Sequence, residues 1–183
     1  NASPGCAHCY AERLSLRFGW SKLPWTLANA AENVVLHPER LEQPLRWRKP
    51  KRIFVCSMAD LFHEQVPDTF IDRVFTVMAL APQHTFQCLT KRPERMLAYF
   101  STERPWLRVA YRGFDINPYS SYASEVHSRE RWPLPNLWLG VSAENQRMAD
   151  ERIPLLLETP AAVRFVSLEP LLSSIDLTKW IGY

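Results

Sequence analysis

The sequence has no apolar run long enough to cross a bilayer, and no signal peptide opens it. That predicts a globular chain without a membrane partner. Cysteine is scarce: the chain has four, Cys6, Cys9, Cys56 and Cys88, in 183 residues. That is too few for a secreted disulfide scaffold of this size, so the expected compartment is the cytoplasm, where thiols stay reduced. Charge of one sign is also lacking. The 22 basic and 19 acidic residues leave +3, which neither demands nor excludes nucleic acid. An initiating Met is absent, so Asn1 reads as a cut end. What remains is an ordinary composition, 46% hydrophobic and 22% charged, in a length that suits one core better than two.

One pattern repeats along the chain: a β-rich apolar run, a short polar stretch, then a helical segment. Ile53, Phe54, Val55 and Cys56 form a run typical of a strand buried on both faces, continuing towards Ser57 and Asp60. Pro67 and Asp68 suit the first turn of a helix, and Phe70, Ile71, Val74, Phe75 and Met78 recur at helical spacing. Residues 84–90 read as a second strand, followed by Lys91, Arg92 and a helix opened by Pro93. Residues 136–142 read as a third strand, with a helix over 146–158 that Pro154 is expected to kink or restart. Residues 163–168 read as a fourth. Near the start, 10–18 looks helical, 34–36 strand-like, and 38–48 partly helical with an interruption at Pro44.

Alternating strands and helices imply parallel βαβ units. A doubly wound sheet and a (β/α) barrel both fit, although a complete eight-fold barrel usually needs about 250 residues. The stretch 101–133 breaks the rhythm. It carries Arg104, Trp106, Arg108, Tyr111, Arg112, Tyr119, Tyr122, Arg129 and Arg131, and reads either as a surface insertion with a small aromatic core or as a lid that grips bases and phosphates.

In parallel α/β folds ligands bind at the carboxyl ends of the strands. Here those ends carry Ser57 and Asp60, then Thr90, Lys91 and Arg92, then Ser142 and Glu144, then Ser167 and Glu169. Each has a simpler reading as a strand end or helix cap, but four alike point to a polar small molecule with carboxylate, amine and hydroxyl groups. The motif of Ser3, Pro4, Gly5, Cys6, Ala7, His8, Cys9 and Tyr10 puts two thiols at metal or redox spacing beside a Pro-Gly bend. Two thiolates do not complete a zinc or iron–sulfur site, and a redox dithiol competes with a metal role. Cys56 and Cys88 read as core residues, and His37 and His63 as surface histidines. Arg46, Arg48, Lys49, Lys51 and Arg52 form a basic run, which is more often solvated than bound to nucleic acid.

Several of these stretches together resemble the bacteriophage gp thirty-seven/gp sixty-eight family of three-cysteine-motif proteins. They are the Ser-Pro-Gly-Cys-x-x-Cys-Tyr-Ala-Glu motif, His37 to Leu41, Phe54 to His63, Leu89 to Arg95, Trp138 to Ser142 and Ser167 to Leu172. The resemblance covers nearly all of the chain outside 101–133. It implies a radical S-adenosylmethionine-like enzyme on a partial (β/α) barrel spanning 1–183, with a 4Fe–4S cluster and S-adenosylmethionine as cofactors. Cys6 and Cys9 would be cluster ligands. Ser57, Thr90, Arg92, Ser142 and Glu144 would hold cofactor or substrate, and Lys91, Glu169 and Asp60 would act in catalysis, with a nucleic acid or nucleotide as the expected substrate. The family's first cysteine would precede Cys6, and its first strand and a later glycine-rich strand end are missing, so the chain reads as a fragment. The competing expectations are a nucleic-acid- or partner-binding module stapled by zinc or a dithiol, and a cluster-free barrel enzyme using the polar strand ends alone.

Overall fold

The computed structural model describes residues 3–102, 108–109 and 132–181. Its frame is one parallel sheet of β1 (Arg52–Val55), β2 (Thr85–Thr90), β3 (Leu137–Ser142) and β4 (Val163–Ser167), in the spatial order of the sequence. Among the described residues, α4 (Asp68–Leu80), α5 (Pro93–Ser101) and α6 (Gln146–Glu158) lie between successive strands. Short helices precede the sheet: a 3₁₀ turn at Pro4–His8, α1 (Tyr10–Arg17), α2 (Ala30–Asn33), a 3₁₀ turn at Pro38–Arg40 and α3 (Gln43–Arg46). The mixed α/β class and the alternating βα units expected from the sequence are therefore present.

Pleat and periodicity explain the packing. Along β2 the buried residues are Phe86, Cys88 and Thr90, while Thr85, Gln87 and Leu89 are half-exposed. The buried face meets Ile71, Phe75 and Met78 of α4, Met96, Tyr99 and Phe100 of α5, and Met148, Ile153 and Leu156 of α6 in one apolar cluster. Each such side chain taken fully from water contributes about 1.5–3 kcal/mol. The opposite face is only partly covered: Phe54 is 45% exposed and Val163 36%.

Five local expectations need correction. β1 is an edge strand that ends at Val55, with Arg52 and Phe54 exposed, and is not buried on both faces. Cys56 is not a core residue: it is exposed and turns the chain at φ 58°, whereas Cys88 is buried as expected. Residues 34–36 pair with no strand of the described sheet. Pro44 does not interrupt a helix but opens α3, because the first helical positions need no N–H donor. Pro154 likewise sits inside an unbroken α6. Pro154 has no N–H to donate to the Asp150 carbonyl, and both residues lie on the exposed side of the helix. Of the 101–133 insertion, Arg108 is described: its Nε donates to Asp72 at 3.1 Å, and Tyr99 donates to the same oxygen at 2.6 Å. Arg104, Trp106, Tyr111, Arg112, Tyr119, Tyr122, Arg129 and Arg131 lie outside the described residues, as does any lid they form.

Candidate functional site

Because all four strands are parallel, their carboxyl ends share one rim. The 3₁₀ turn carrying Cys6 docks there. Pro4 occupies its first turn, Cys6 N–H donates to Ser3 O at 2.9 Å, and Cys9 N–H donates to Cys6 O at 3.2 Å before Cys9 caps α1. The docking contact is a hydrogen bond from Gly5 N–H to Glu144 Oε1 at 3.2 Å. Glycine suits this close approach: a Cβ on Gly5 would sit tightly against Lys91 Nζ at 3.1 Å and Glu144 Cδ at 3.2 Å. The bend that the sequence suggested thus serves a close approach to β3.

Glu144 is fully buried. Its Oε2 lies 3.1 Å from Arg152 Nη1 and 3.9 Å from Lys91 Nζ. Burial pushes the carboxyl pKa up, but hydrogen bonds from Ser3 and from Gly5 N–H, with the charges of Lys91 and Arg152, outweigh it and hold the group below its ordinary value. Lys91 reaches three side chains: its Nζ is also 3.4 Å from Ser3 Oγ and 3.8 Å from Cys6 Sγ. The ammonium therefore faces a thiol, a hydroxyl and a carboxylate at once.

A second knot fixes the ends of β1 and β2. Asp60 accepts from Phe62 N–H at 3.0 Å, Thr90 Oγ1 at 2.7 Å, Lys91 N–H at 3.0 Å and Arg92 Nη1 at 3.1 Å. Thr90 Oγ1 in turn accepts from Arg92 N–H at 2.9 Å. Ser142, also buried, donates to the Glu169 carbonyl at 3.0 Å and so ties β3 to the chain after β4. Asp60, Thr90 and Ser142 thus spend their hydrogen bonds on the scaffold. Glu169 is exposed, as is Ser57 on the turn after β1. Of the residues expected at the site, Asp60, Thr90, Lys91 and Arg92 are joined in one knot, and the Lys91 ammonium extends it to Cys6 and Glu144.

Beside them is a cleft of about 290 Å³ lined by Ser3, Lys91, Arg92, Glu94, Arg147 and Arg152, with Glu64 and Glu151. Its mixed charge suits a small polar ligand. Sequence reasoning missed Arg152. The signal was present, since Arg152 falls on the buried face of α6 with Met148, Ala149, Ile153 and Leu156, where a cation needs a partner. His63 is half-buried, and desolvation followed by the Arg92 charge lowers its pKa. His37 is exposed and pairs with Glu39 at 2.9 Å. Crowding by the protein, then the Asp60 charge, raises the Cys56 thiol to about 11, and burial raises that of Cys88. Neither is poised as a thiolate.

A cluster of the kind implied by the resemblance needs three thiolates. Cys6 and Cys9 fit it in donor type, but they are two. Among the described residues no group of three or more His, Cys, Asp or Glu side chains is gathered to hold a metal ion. Nor is any described helix long and apolar enough to cross a membrane.

Fold and site together define a parallel β/α protein with a polar, thiol-bearing site at the carboxyl rim of its sheet. The sequence model of the family described as "Protein of unknown function (DUF5131)" matches residues 1–182, and the chain belongs to that family. No curated protein and no solved structure matches it.

Proposed function

We propose that the protein is an enzyme of the radical S-adenosylmethionine-like kind, on a partial (β/α) barrel, with Cys6 and Cys9 as two ligands of an iron–sulfur centre. The observation that carries this reading is the contact of the thiol turn with the strand ends, Gly5 N–H on Glu144 and Lys91 Nζ 3.8 Å from Cys6 Sγ. Barrel geometry is supported by the helices α4, α5 and α6 packing on one sheet face while the other stays partly open; a doubly wound sheet carries helices on both. The two thiols leave a further ligand to be supplied from outside the described residues.

The chain's own residues have definite tasks in this reading. Glu144, held by Arg152, fixes the thiol turn to β3. Lys91 places positive charge beside Cys6 and favours its thiolate form. Arg92, oriented by Asp60, and Arg147 present positive charge to an anionic group of a substrate in the cleft, with nucleotides or nucleic acid as the proposed class. The test is formation of 5′-deoxyadenosine from S-adenosylmethionine by the anaerobically iron-loaded, reduced protein. Wild type should form it and Cys6→Ser should not; an iron-loaded wild type that forms none contradicts the reading.

The thiol count favours a second reading, a binding module in which the pair holds zinc or forms a dithiol staple. Stoichiometric zinc in the protein, with no cleavage of S-adenosylmethionine, selects it.

A further inference from the structure

Segment 46–52 carries five basic side chains in seven positions, Arg46, Arg48, Lys49, Lys51 and Arg52, all exposed. They exceed the whole net charge of +3, so the rest of the chain is net negative and the cationic surplus is concentrated here. Arg46 lies 4.0 Å from Glu42, an exposed pair. Among the described residues no ion pair engages the other four. Two of them lie over aromatic rings instead: Lys51 Nζ is 4.2 Å from the Trp47 centroid, and the Arg52 guanidinium 5.9 Å from that of Trp138.

The backbone is pinned at Lys51, where the segment meets β1. His84, 1% exposed, accepts Lys51 N–H on Nδ1 at 3.2 Å, so its Nε2 carries the proton and donates to Pro44 O at 3.0 Å. Thr85 N–H donates to Lys51 O at 2.9 Å. The segment enters β1 at Arg52, so it lies at the amino pole of the sheet, opposite the thiol turn.

We propose that segment 46–52 is a docking surface for the phosphodiester backbone of a nucleic acid, separate from the rim site. A solvated charge run on a loose loop must be ordered when it binds; here His84 and Thr85 have already ordered the backbone at Lys51. Cations without a carboxylate partner keep their attraction for an external polyanion, and binding releases its condensed counterions. An anionic membrane fits less well, because the segment presents no apolar anchor: Trp47 is half-buried beneath Lys51, and Trp138 lies beneath Arg52. The contact is to backbone phosphates, so it positions a strand without reading its sequence. The surface stands whichever metal the thiol pair holds.

The experiment is fluorescence anisotropy with labelled oligonucleotides, single-stranded and duplex, over a salt series. Wild type should bind at least one form with a steep salt dependence. The triple variant Arg48→Ala, Lys49→Ala, Lys51→Ala should bind at least about tenfold more weakly and lose about 2–3 from the slope of log affinity on log salt. Arg13→Ala with Arg17→Ala, exposed cations on α1, should bind as wild type does. Circular dichroism verifies the fold of each variant, and Lys49→Glu, a single exposed change, should weaken binding on its own. Unchanged affinity in the triple variant or in Lys49→Glu overturns the proposal. So does an equal loss in the α1 control, or retention on anionic phospholipid vesicles without oligonucleotide binding.

Discussion

The backbone N–H of Gly5 donates to Oε1 of Glu144 at 3.2 Å, joining two points 139 residues apart in sequence. The opposite oxygen of the same carboxylate faces Arg152, which is 4% exposed, so one buried side chain holds both the thiol turn and a buried cation. Glu144→Ala strips Arg152 of its counter-charge and should destabilise the protein by about 3–5 kcal/mol in denaturant unfolding. Glu144→Gln keeps an acceptor for Gly5 N–H and should cost less. Hydrogen exchange at the Gly5 amide separates the two effects: it should be slow in wild type and fast in Glu144→Ala.

The same carboxylate predicts a pH dependence. Its folded-state pKa lies below the ordinary 4.5, so the unfolded chain binds its proton more readily. The stabilisation is complete above that ordinary value and is lost as pH falls through the lowered one. Unfolding free energies measured from neutral pH into the acid range should therefore fall less steeply for Glu144→Gln than for wild type.

Gly140 lies in β3 beneath the Phe165 ring of β4, and a Cβ there would sit 2.6 Å from that ring. Gly140→Ala should cost about 1–3 kcal/mol by overpacking, read as a lower melting temperature. Adding Phe165→Leu should recover part of the loss, because the conflict is with the aromatic ring itself.

Asp60 gathers donors from Phe62, Thr90, Lys91 and Arg92. Asp60→Ala should cost about 1–3 kcal/mol, since the donors left behind are only partly reached by water. It should also release Arg92. Ligand affinity in the cleft should then fall along with stability, whereas a residue acting only in the chemical step would lower kcat and leave both unchanged.

The repeat of strand and helix was legible because each unit carries redundant signals. Pro67 with Asp68 and Pro93 with Glu94 mark helix starts, and the apolar spacing of 70–78 marks the face of α4 that meets the sheet. The grouping of strand ends followed from parallel pairing alone. What escaped was set by long-range contact. Nothing in the run from Ile53 to Cys56 reveals that β1 lies at a sheet edge or that Cys56 turns left-handed. Asp60, Thr90 and Ser142 look like reactive strand ends in sequence, yet in space they face one another or the backbone. Arg152 became part of the site only through Glu144, eight positions earlier, across the start of α6.

The central claim is that the thiol pair on the rim is a metal centre. Iron and acid-labile sulfide analysis after anaerobic reconstitution tests it most directly, on wild type beside Cys6→Ser and Cys9→Ser. Wild type should be coloured, with iron and sulfide in comparable amounts, and either variant should lose both. A colourless wild type, or iron retained in full by either variant, would contradict it.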